Sequence, residues 1–305
     1  MTNKEKKELL LDELKSTSDL EIYQKTSDLA RFSKDFFDYS PILINELKNC
    51  LADIVVRPLS VDAIIVVAQI CNKYSTPLTL RGSGTGNYGQ CVPLNGGVVM
   101  IMSALKKIRN FDSKTGEITV ESGCLLRDIN DELIKHGRQL RLLPSTWRSA
   151  SIGGFIAGGS GGIGSVRWGF LRDPGHLQSL EIITTEDTPR KLELNANNSE
   201  ALNHAYGTNG IITALTVATA PYIEWQQIVV DCLDWNQAVD LLSKFNSAAL
   251  EIYLGTLLEK EIVSCLPHWS GKPAGRHRIL LLVSPDGVST VERLAKSAGG
   301  DFDNL

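Results

Sequence analysis

Two periodicities alternate along the chain. From Lys4 to about Lys34, leucines recur at helical spacing among mixed lysine and glutamate, which predicts one or two amphipathic helices with a solvated face. Ser40-Pro41 breaks that pattern. Asp53–Arg57 then reads as a short strand stopped by Pro58. Ser60 reads as the N-cap of a helix over Val61–Lys73, whose apolar density places it in a core. Thr76–Arg81 is a second strand. A strand, a helix and a strand within roughly thirty residues make a βαβ unit, so the two strands are expected to run parallel.

Further on, Val98–Met102 is a strand, and Lys107–Asp112 and Glu117–Ser122 flank Ser113-Lys114-Thr115-Gly116 as a hairpin. Leu125–His136 is an amphipathic helix with Gly137 at the left-handed position that ends it. Leu180–Thr184 and Arg190–Leu194 form another strand pair, and Ala214–Ala218 a further strand. After Pro221 the texture changes. Strands at Gln227–Cys232, Leu250–Leu254 and Arg278–Val283 alternate with helices at Asn236–Phe245 and Ser289–Ser297, without glycine-rich loops. The expectation is an α+β chain with an N-terminal helical segment (1–40), a principal domain (41–222) and a smaller α+β unit (223–305).

Glycine gathers where these patterns pause. Eight of the nineteen residues from Ser151 to Gly169 are glycine, out of 26 in the chain. They are interleaved with Ile152, Phe155, Ile156, Ile163, Val166 and Trp168, which a solvated linker would lack. A buried loop whose backbone closely approaches a ligand explains the run; structural turns are the alternative. A second cluster, RGSGTGNYG at residues 81–89, directly follows a strand. Gly84-x-Gly86-x-x-Gly89 formally matches the dinucleotide fingerprint. However, Pro93 and Gly96-Gly97 oppose the helix that fingerprint requires, and no acidic residue ends Val98–Met102. No GK[ST] is present there, which excludes a P-loop. What remains is an amide-rich turn able to cradle a phosphate, or a plain strand-ending turn. A third cluster, Gly207-Thr208-Asn209-Gly210-Ile211-Ile212-Thr213, runs into a strand.

Composition adds mainly exclusions. The chain has 305 residues, enough for about two domains, is 43% apolar and carries a net charge of −4, so nucleic acid and anionic membranes are not expected partners. Apolar runs such as Ala63–Ala68 and Ile279–Val283 fall well short of the ~18–20 residues that span a bilayer. The opening MTNKEKKELLLDELK lacks a signal-peptide core, and the expectation is a soluble, cytoplasmic protein. The six cysteines include no CxxC, and the five histidines no HxxxH or HxH, so no metal site is expected. Cys50, Cys71 and Cys124 read as small buried hydrophobes.

Together, the three glycine clusters resemble the FAD-binding PCMH-type domain of the vanillyl-alcohol oxidase superfamily, most of all the branch of glycolate oxidase subunits and D-lactate dehydrogenases. The resemblance covers roughly Asp53 to Pro221. RGSGTG is similar to that family's pyrophosphate loop, SIGGFIAGGSGGIGSVRWG to its flavin-enclosing segment, and GTNGIIT to the late loop that closes over the cofactor. It implies a two-subdomain α+β fold followed by a short or incomplete cap. It also implies that Arg81, Gly82, Ser83, Gly84, Thr85 and Gly86 hold the diphosphate. Pro144, Ser151, Gly153, Gly154, Ala157 and Gly158 would line the flavin and ribityl region; Gly161, Gly162, Gly210, Ile211 and Ile212 would complete the enclosure. Some relatives tether FAD through a histidine where Thr85 stands here, so non-covalent FAD is expected. Phe155 occupies the family's usual Asn position.

The implied activity is FAD-dependent oxidation of a small 2-hydroxy acid or related alcohol, with hydride passing to flavin N5 while a base takes the hydroxyl proton. Arg148 and Arg167 are candidates for a substrate carboxylate, a surface or structural salt bridge being the alternative for each. His268, beside Trp269, is a candidate base, with a merely structural histidine as the alternative. Relatives carry a longer cap after the flavin domain. The alternative function is therefore a flavin-binding subunit or remnant without independent catalysis, completed by a partner chain. A nicotinamide enzyme is disfavoured because the helix and the acidic residue it needs after Gly89 are missing.

Overall fold

In the computed structural model, residues 3–266 and 275–305 are described. The chain opens with α1 (Asn3–Ser16), β1 (Leu20–Tyr23), α2 (Thr26–Phe32), α3 (Pro41–Leu47), β2 (Ile54–Pro58), α4 (Val61–Lys73), β3 (Leu78–Arg81) and β4 (Val98–Ile101). After these stand β5 (Ile108–Asp112), β6 (Glu117–Glu121), α5 (Leu126–Ile134), β7 (Arg138–Leu140), α6 (Ile152–Gly158) and α7 (Ser165–Trp168). Next come β8 (Leu177–Ile183), β9 (Lys191–Asn195), α8 (Ala196–Ser199) and β10 (Ile211–Pro221). The last elements are β11 (Gln226–Cys232), α9 (Trp235–Ser247), β12 (Ile252–Leu258), α10 (Lys260–Cys265), β13 (His277–Val283), α11 (Val288–Ser297) and β14 (Asp301–Asn304). The chain divides into one unit of Met1–Ser160 with Phe170–Ala220 and another of Gly161–Gly169 with Pro221–Leu305.

The first unit holds two sheets. In the four-stranded one the order is β1-β2-β4-β3, so the βαβ strands β2 and β3 both run parallel to β4, which lies between them. Ser60 caps α4 by accepting from the Ala63 amide at 3.2 Å. Ile64, Val67 and Ile70 of that helix join Leu10 and Leu14 of α1 over Ile54, Val56, Val98 and Met100. The opposite face, Val55, Val99 and Ile101, is covered by Tyr23, Leu29 and Phe32. Burying both faces accounts for the near-continuous apolar strands.

Leu20–Tyr23 corrects the expectation of an all-helical N-terminal segment. It is an edge strand antiparallel to β2, with Glu21 paired to Arg57 at 2.7 Å. A partner some 36 positions away in sequence outweighs the local helical spacing, which no window of Lys4–Lys34 could reveal.

The six-stranded sheet has the order β5-β6-β10-β8-β9, with β7 on β10. The predicted hairpin forms, closed by Gly116 N–H donating to Asp112 O at 2.8 Å. The strand expected at Ala214–Ala218 extends over Ile211–Pro221, pairing with β8 over Ile211–Val217, with β6 over Ala214–Ala218 and also with β7. Across this sheet Arg109 bridges Glu121 (3.3 Å) and Glu181 (3.1 Å), and Glu181 also receives Lys191 at 2.6 Å.

The second unit is a four-stranded antiparallel sheet in the order β12-β13-β11-β14. Ala238, Leu241 and Phe245 of α9, with Val291 and Ala295 of α11, bury its core. In its centre Asp231 and Arg278 stand opposite each other on β11 and β13. They form a two-point ion pair (2.7 and 3.2 Å) that is almost wholly buried.

Among the described residues no helix is long and apolar enough to cross a membrane. Cys71 and Cys124 are buried as expected, whereas Cys50, just past the end of α3, is only half-buried.

Candidate cofactor site

The glycine run that begins at Ser151 folds in a way its composition does not announce. Residues 152–158 form a helix rather than a loop, and its glycines are spaced so that Ile152, Phe155 and Ile156 share one buried stripe. Burial of that stripe outweighs the roughly 1 kcal/mol each helical glycine costs. The helix ends at Gly159, whose φ of 61° is left-handed.

This helix, the loop after β3 and the turn before β10 enclose a cavity of about 540 Å³ within the first unit, inside the range usual for small-molecule sites. Gly82, Ser83, Gly84, Thr85 and Gly86 line one side, and Pro144, Ser151, Gly153, Gly154, Ala157 and Gly158 another; Gly210 and Ile212 also face it. Backbone proximity explains two of these positions. A Cβ on Gly82 would run into Ser151 Oγ, and one on Gly153 would lie 2.6 Å from Ser122 Cβ. The first loop is braced from below by Asp35, which is buried and accepts from the Phe37 (3.0 Å) and Gly89 (2.9 Å) amides. Burial pushes the Asp35 carboxyl up from its ordinary range, and the hydrogen bonds from Gly89, Phe37 and Gln90 partly offset this.

The remaining expected residues lie elsewhere. Arg81 is buried outside the lining, donating to Lys34 O at 2.7 Å, Phe32 O at 3.3 Å and Cys91 Sγ at 3.2 Å. Ile211 belongs to β10 and is buried against the first sheet. Gly161 and Gly162 group with the second unit. There Arg167 is paired with Glu251 at 2.7 Å and lies over the rings of Trp168 and Trp225, the salt-bridge alternative. Arg148 is exposed over the Trp147 ring, 4.7 Å from its centroid, and is not part of the lining. His268 and Trp269 lie outside the described residues.

The lining also contains residues that the motifs did not single out: Tyr88, Gln90, Cys91, Ser122, His204 and Tyr206. Tyr88 lies inside RGSGTGNYG, and His204 and Tyr206 immediately precede GTNGIIT, so adjacency to a glycine cluster was the available signal. Ser122 had none, because β6 delivers it from a distant hairpin. Among the described residues, the lining contains no Asp, Glu, Lys or Arg.

Residues 52–192 match the family model of an FAD binding domain. Among curated proteins, the chain is 28% identical to a D-lactate dehydrogenase of Anaerostipes hadrus, over 55% of this chain and 36% of that one. It is 26% identical to glycolate oxidase subunit GlcD of Bacillus subtilis, over 80% of this chain and 53% of that one. A D-lactate dehydrogenase of Archaeoglobus fulgidus is 22% identical, over 81% and 57%. The chain thus spans between about a third and somewhat over half the length of these relatives. A solved structure of alkyldihydroxyacetonephosphate synthase aligns with 98% of this chain and 65% of its own at a TM-score of 0.82 and 18% identity, a likeness of fold alone.

The cavity fits FAD on its own terms. Among the described residues, the amides of Ser83 to Gly86 donate to no protein acceptor, which leaves a row of N–H groups for a diphosphate. Ser122 and Ser151 are each 3% exposed, line the cavity and have hydroxyls without a protein partner, in an interior where such groups are ordinarily paired. The glycine backbone together with Leu80, Met102, Phe155 and Ile212 suits a large flat ring system, which needs close backbone and apolar contact. Glycine-cleared backbone, free amides and two orphaned hydroxyls converge on one cavity, most of whose lining falls in the matched segment, with His204, Tyr206, Gly207, Gly210 and Ile212 beyond it. Residues 52–192 thus match an FAD binding domain, and the chain is similar in sequence to D-lactate dehydrogenases and a glycolate oxidase subunit.

Proposed function

We propose that the protein is an FAD-dependent oxidoreductase that oxidises a small 2-hydroxy acid or a related alcohol. The observation that carries this reading is the uncharged, glycine-cleared cavity within a domain whose relatives are named for lactate and glycolate oxidation. Bound flavin supplies the hydride acceptor; the chain's part is to position it and keep its surroundings dry. Gly82 and Gly84 let the first loop approach the diphosphate. Gly153 and Gly154 let α6 approach the flavin portion, and Ser122 and Ser151 orient it through their hydroxyls. Thr85 offers no histidine for a covalent link at its position, which supports non-covalent binding there.

Two measurements test this. Acid precipitation of the purified protein should release the yellow chromophore to the supernatant, where chromatography identifies it as FAD. Anaerobic mixing with D-lactate, glycolate or D-2-hydroxyglutarate should then bleach the flavin band of the intact protein. Bleaching by dithionite but by none of a panel of 2-hydroxy acids would reject the substrate class.

One feature favours a second reading, a flavin-binding subunit completed by another chain. Among the described residues, the lining offers no lysine or arginine to a substrate carboxylate. Flavin that stays oxidised until a co-purifying chain is added back would support this reading over the first.

A further inference from the structure

Among the described residues, the buried hydroxyls without a protein partner are those of Ser122 and Ser151, and both line the cofactor cavity. Each residue is 3% exposed, and a hydroxyl left unpaired at such depth is costly and rare in a folded protein. Two separate segments deliver them to one spot. Ser151 immediately precedes α6, and its Oγ fills the space that a Cβ on Gly82 would need. The same oxygen lies 3.0 Å from where a Cβ on Gly154 would stand. Ser122 follows β6 and is fixed through its backbone. Its N–H donates to Thr213 O at 2.9 Å, and its carbonyl accepts from Gly153 N–H at 2.8 Å. Both hydroxyls therefore belong to a wall built on consecutive residues, Gly153 and Gly154, whose Cα atoms are about 3.8 Å apart. That wall adjoins Gly82, directly before the free amides of Ser83 to Gly86.

The position of the pair limits what it can meet. A diphosphate oxygen only accepts hydrogen bonds, and the amide row meets it with N–H groups. A serine hydroxyl both donates and accepts, so two of them side by side match a partner that also does both. In FAD the groups bonded directly to the diphosphate are sugars, ribityl on one side and ribose on the other, and both carry hydroxyls. We propose that Ser122 and Ser151 form a sugar-hydroxyl subsite that hydrogen-bonds the polyol adjoining the diphosphate. The subsite rests on the FAD reading and is independent of which substrate is oxidised.

The test uses FAD and FAD analogues that lack one ribityl hydroxyl or one ribose hydroxyl. Apoprotein is titrated with each while flavin fluorescence is followed, and the melting temperature of the apoprotein is recorded. Ser122→Ala and Ser151→Ala should each weaken FAD by about five- to tenfold, as for the loss of one neutral hydrogen bond. Both apoproteins should melt at or above the wild-type temperature, since no protein partner of either hydroxyl is lost. In the wild type, removing the matching sugar hydroxyl should cost a similar factor. In the alanine variant the same removal should cost nothing further. Coupling to ribityl hydroxyls places the flavin portion at α6, as read above. Coupling to ribose hydroxyls alone would keep the subsite but put the adenosine half there instead. Losses that multiply independently for every analogue would overturn the proposal, as would unchanged FAD affinity in either variant. A wild-type chain that binds none of these ligands would instead overturn the cofactor assignment itself, and this subsite with it.

Discussion

The guanidinium of Arg81 donates to the carbonyl of Lys34 at 2.7 Å, tying the first glycine loop to the segment after α2. The loop curls over this group so closely that a Cβ on Gly84 would overlap it. Arg81 thus supports the loop from behind. Replacing it with methionine should cost about 2 kcal/mol of stability, from the loss of hydrogen bonds made by a charged group. FAD affinity should fall as well, because the loop loses its brace. Chemical denaturation and a flavin titration of the same variant measure both effects.

Glycines of the same helix should respond in opposite ways. A Cβ on Gly158 meets nothing within 4 Å, yet Gly158 lines the cavity. Gly158→Val should leave stability within about 1 kcal/mol, valine being no worse than glycine in a helix. It should weaken FAD by at least about tenfold, roughly 1.4 kcal/mol. Gly153→Ala instead drives a methyl to within 2.6 Å of Ser122 Cβ and should destabilise the fold by about 1–3 kcal/mol. Thermal melts paired with flavin titrations separate the two behaviours.

Ser122→Ala removes a buried hydroxyl that has no protein partner among the described residues. The apoprotein should be as stable as wild type or about 1 kcal/mol more stable, and FAD should bind about five- to tenfold more weakly. Loss of apoprotein stability with unchanged FAD affinity would make the hydroxyl structural.

Acid should act on the six-stranded sheet through Glu181. Burial alone would raise its carboxyl, but hydrogen bonds from Lys191, Thr213 and Arg109 more than reverse this and hold it below its ordinary value of 4.5. A carboxylate lowered in the folded state stabilises the fold above its unfolded value, and that contribution is lost as pH falls through the folded one. Stability measured by urea denaturation should therefore drop below about pH 4.5, and Glu181→Gln should flatten that part of the profile.

In the second unit, the Asp231–Arg278 pair is sealed between β11 and β13, with side-chain exposures of 0% and 5%. Arg278→Met alone should cost about 3–5 kcal/mol by leaving a buried carboxylate unpaired. Adding Asp231→Leu should recover most of the loss, because two apolar groups then replace two charges. A double-mutant cycle by denaturation checks both values.

By itself the sequence determined the elements whose signals are local. The helix Val61–Lys73 with its Ser60 cap, the hairpin around Gly116, and β11, α9, β13 and α11 after Pro221 were legible because capping, turn chemistry and apolar period act over a few residues, whereas α10 and β14 were not read. The glycine clusters were legible for the same reason, since backbone needed close to a ligand must shed its side chains where it passes. Only the tertiary structure decided the rest. It made Leu20–Tyr23 a strand, because β2 offers it a ladder. It made residues 152–158 a helix, because a buried stripe of Ile152, Phe155 and Ile156 outweighs the cost of glycine. It turned Arg81 into a brace, and it brought Ser122 and the His204–Tyr206 pair to one cavity from distant parts of the chain. Local propensity acts between neighbours in the chain, but a binding site is assembled from residues that meet only after strands have paired and a core has closed.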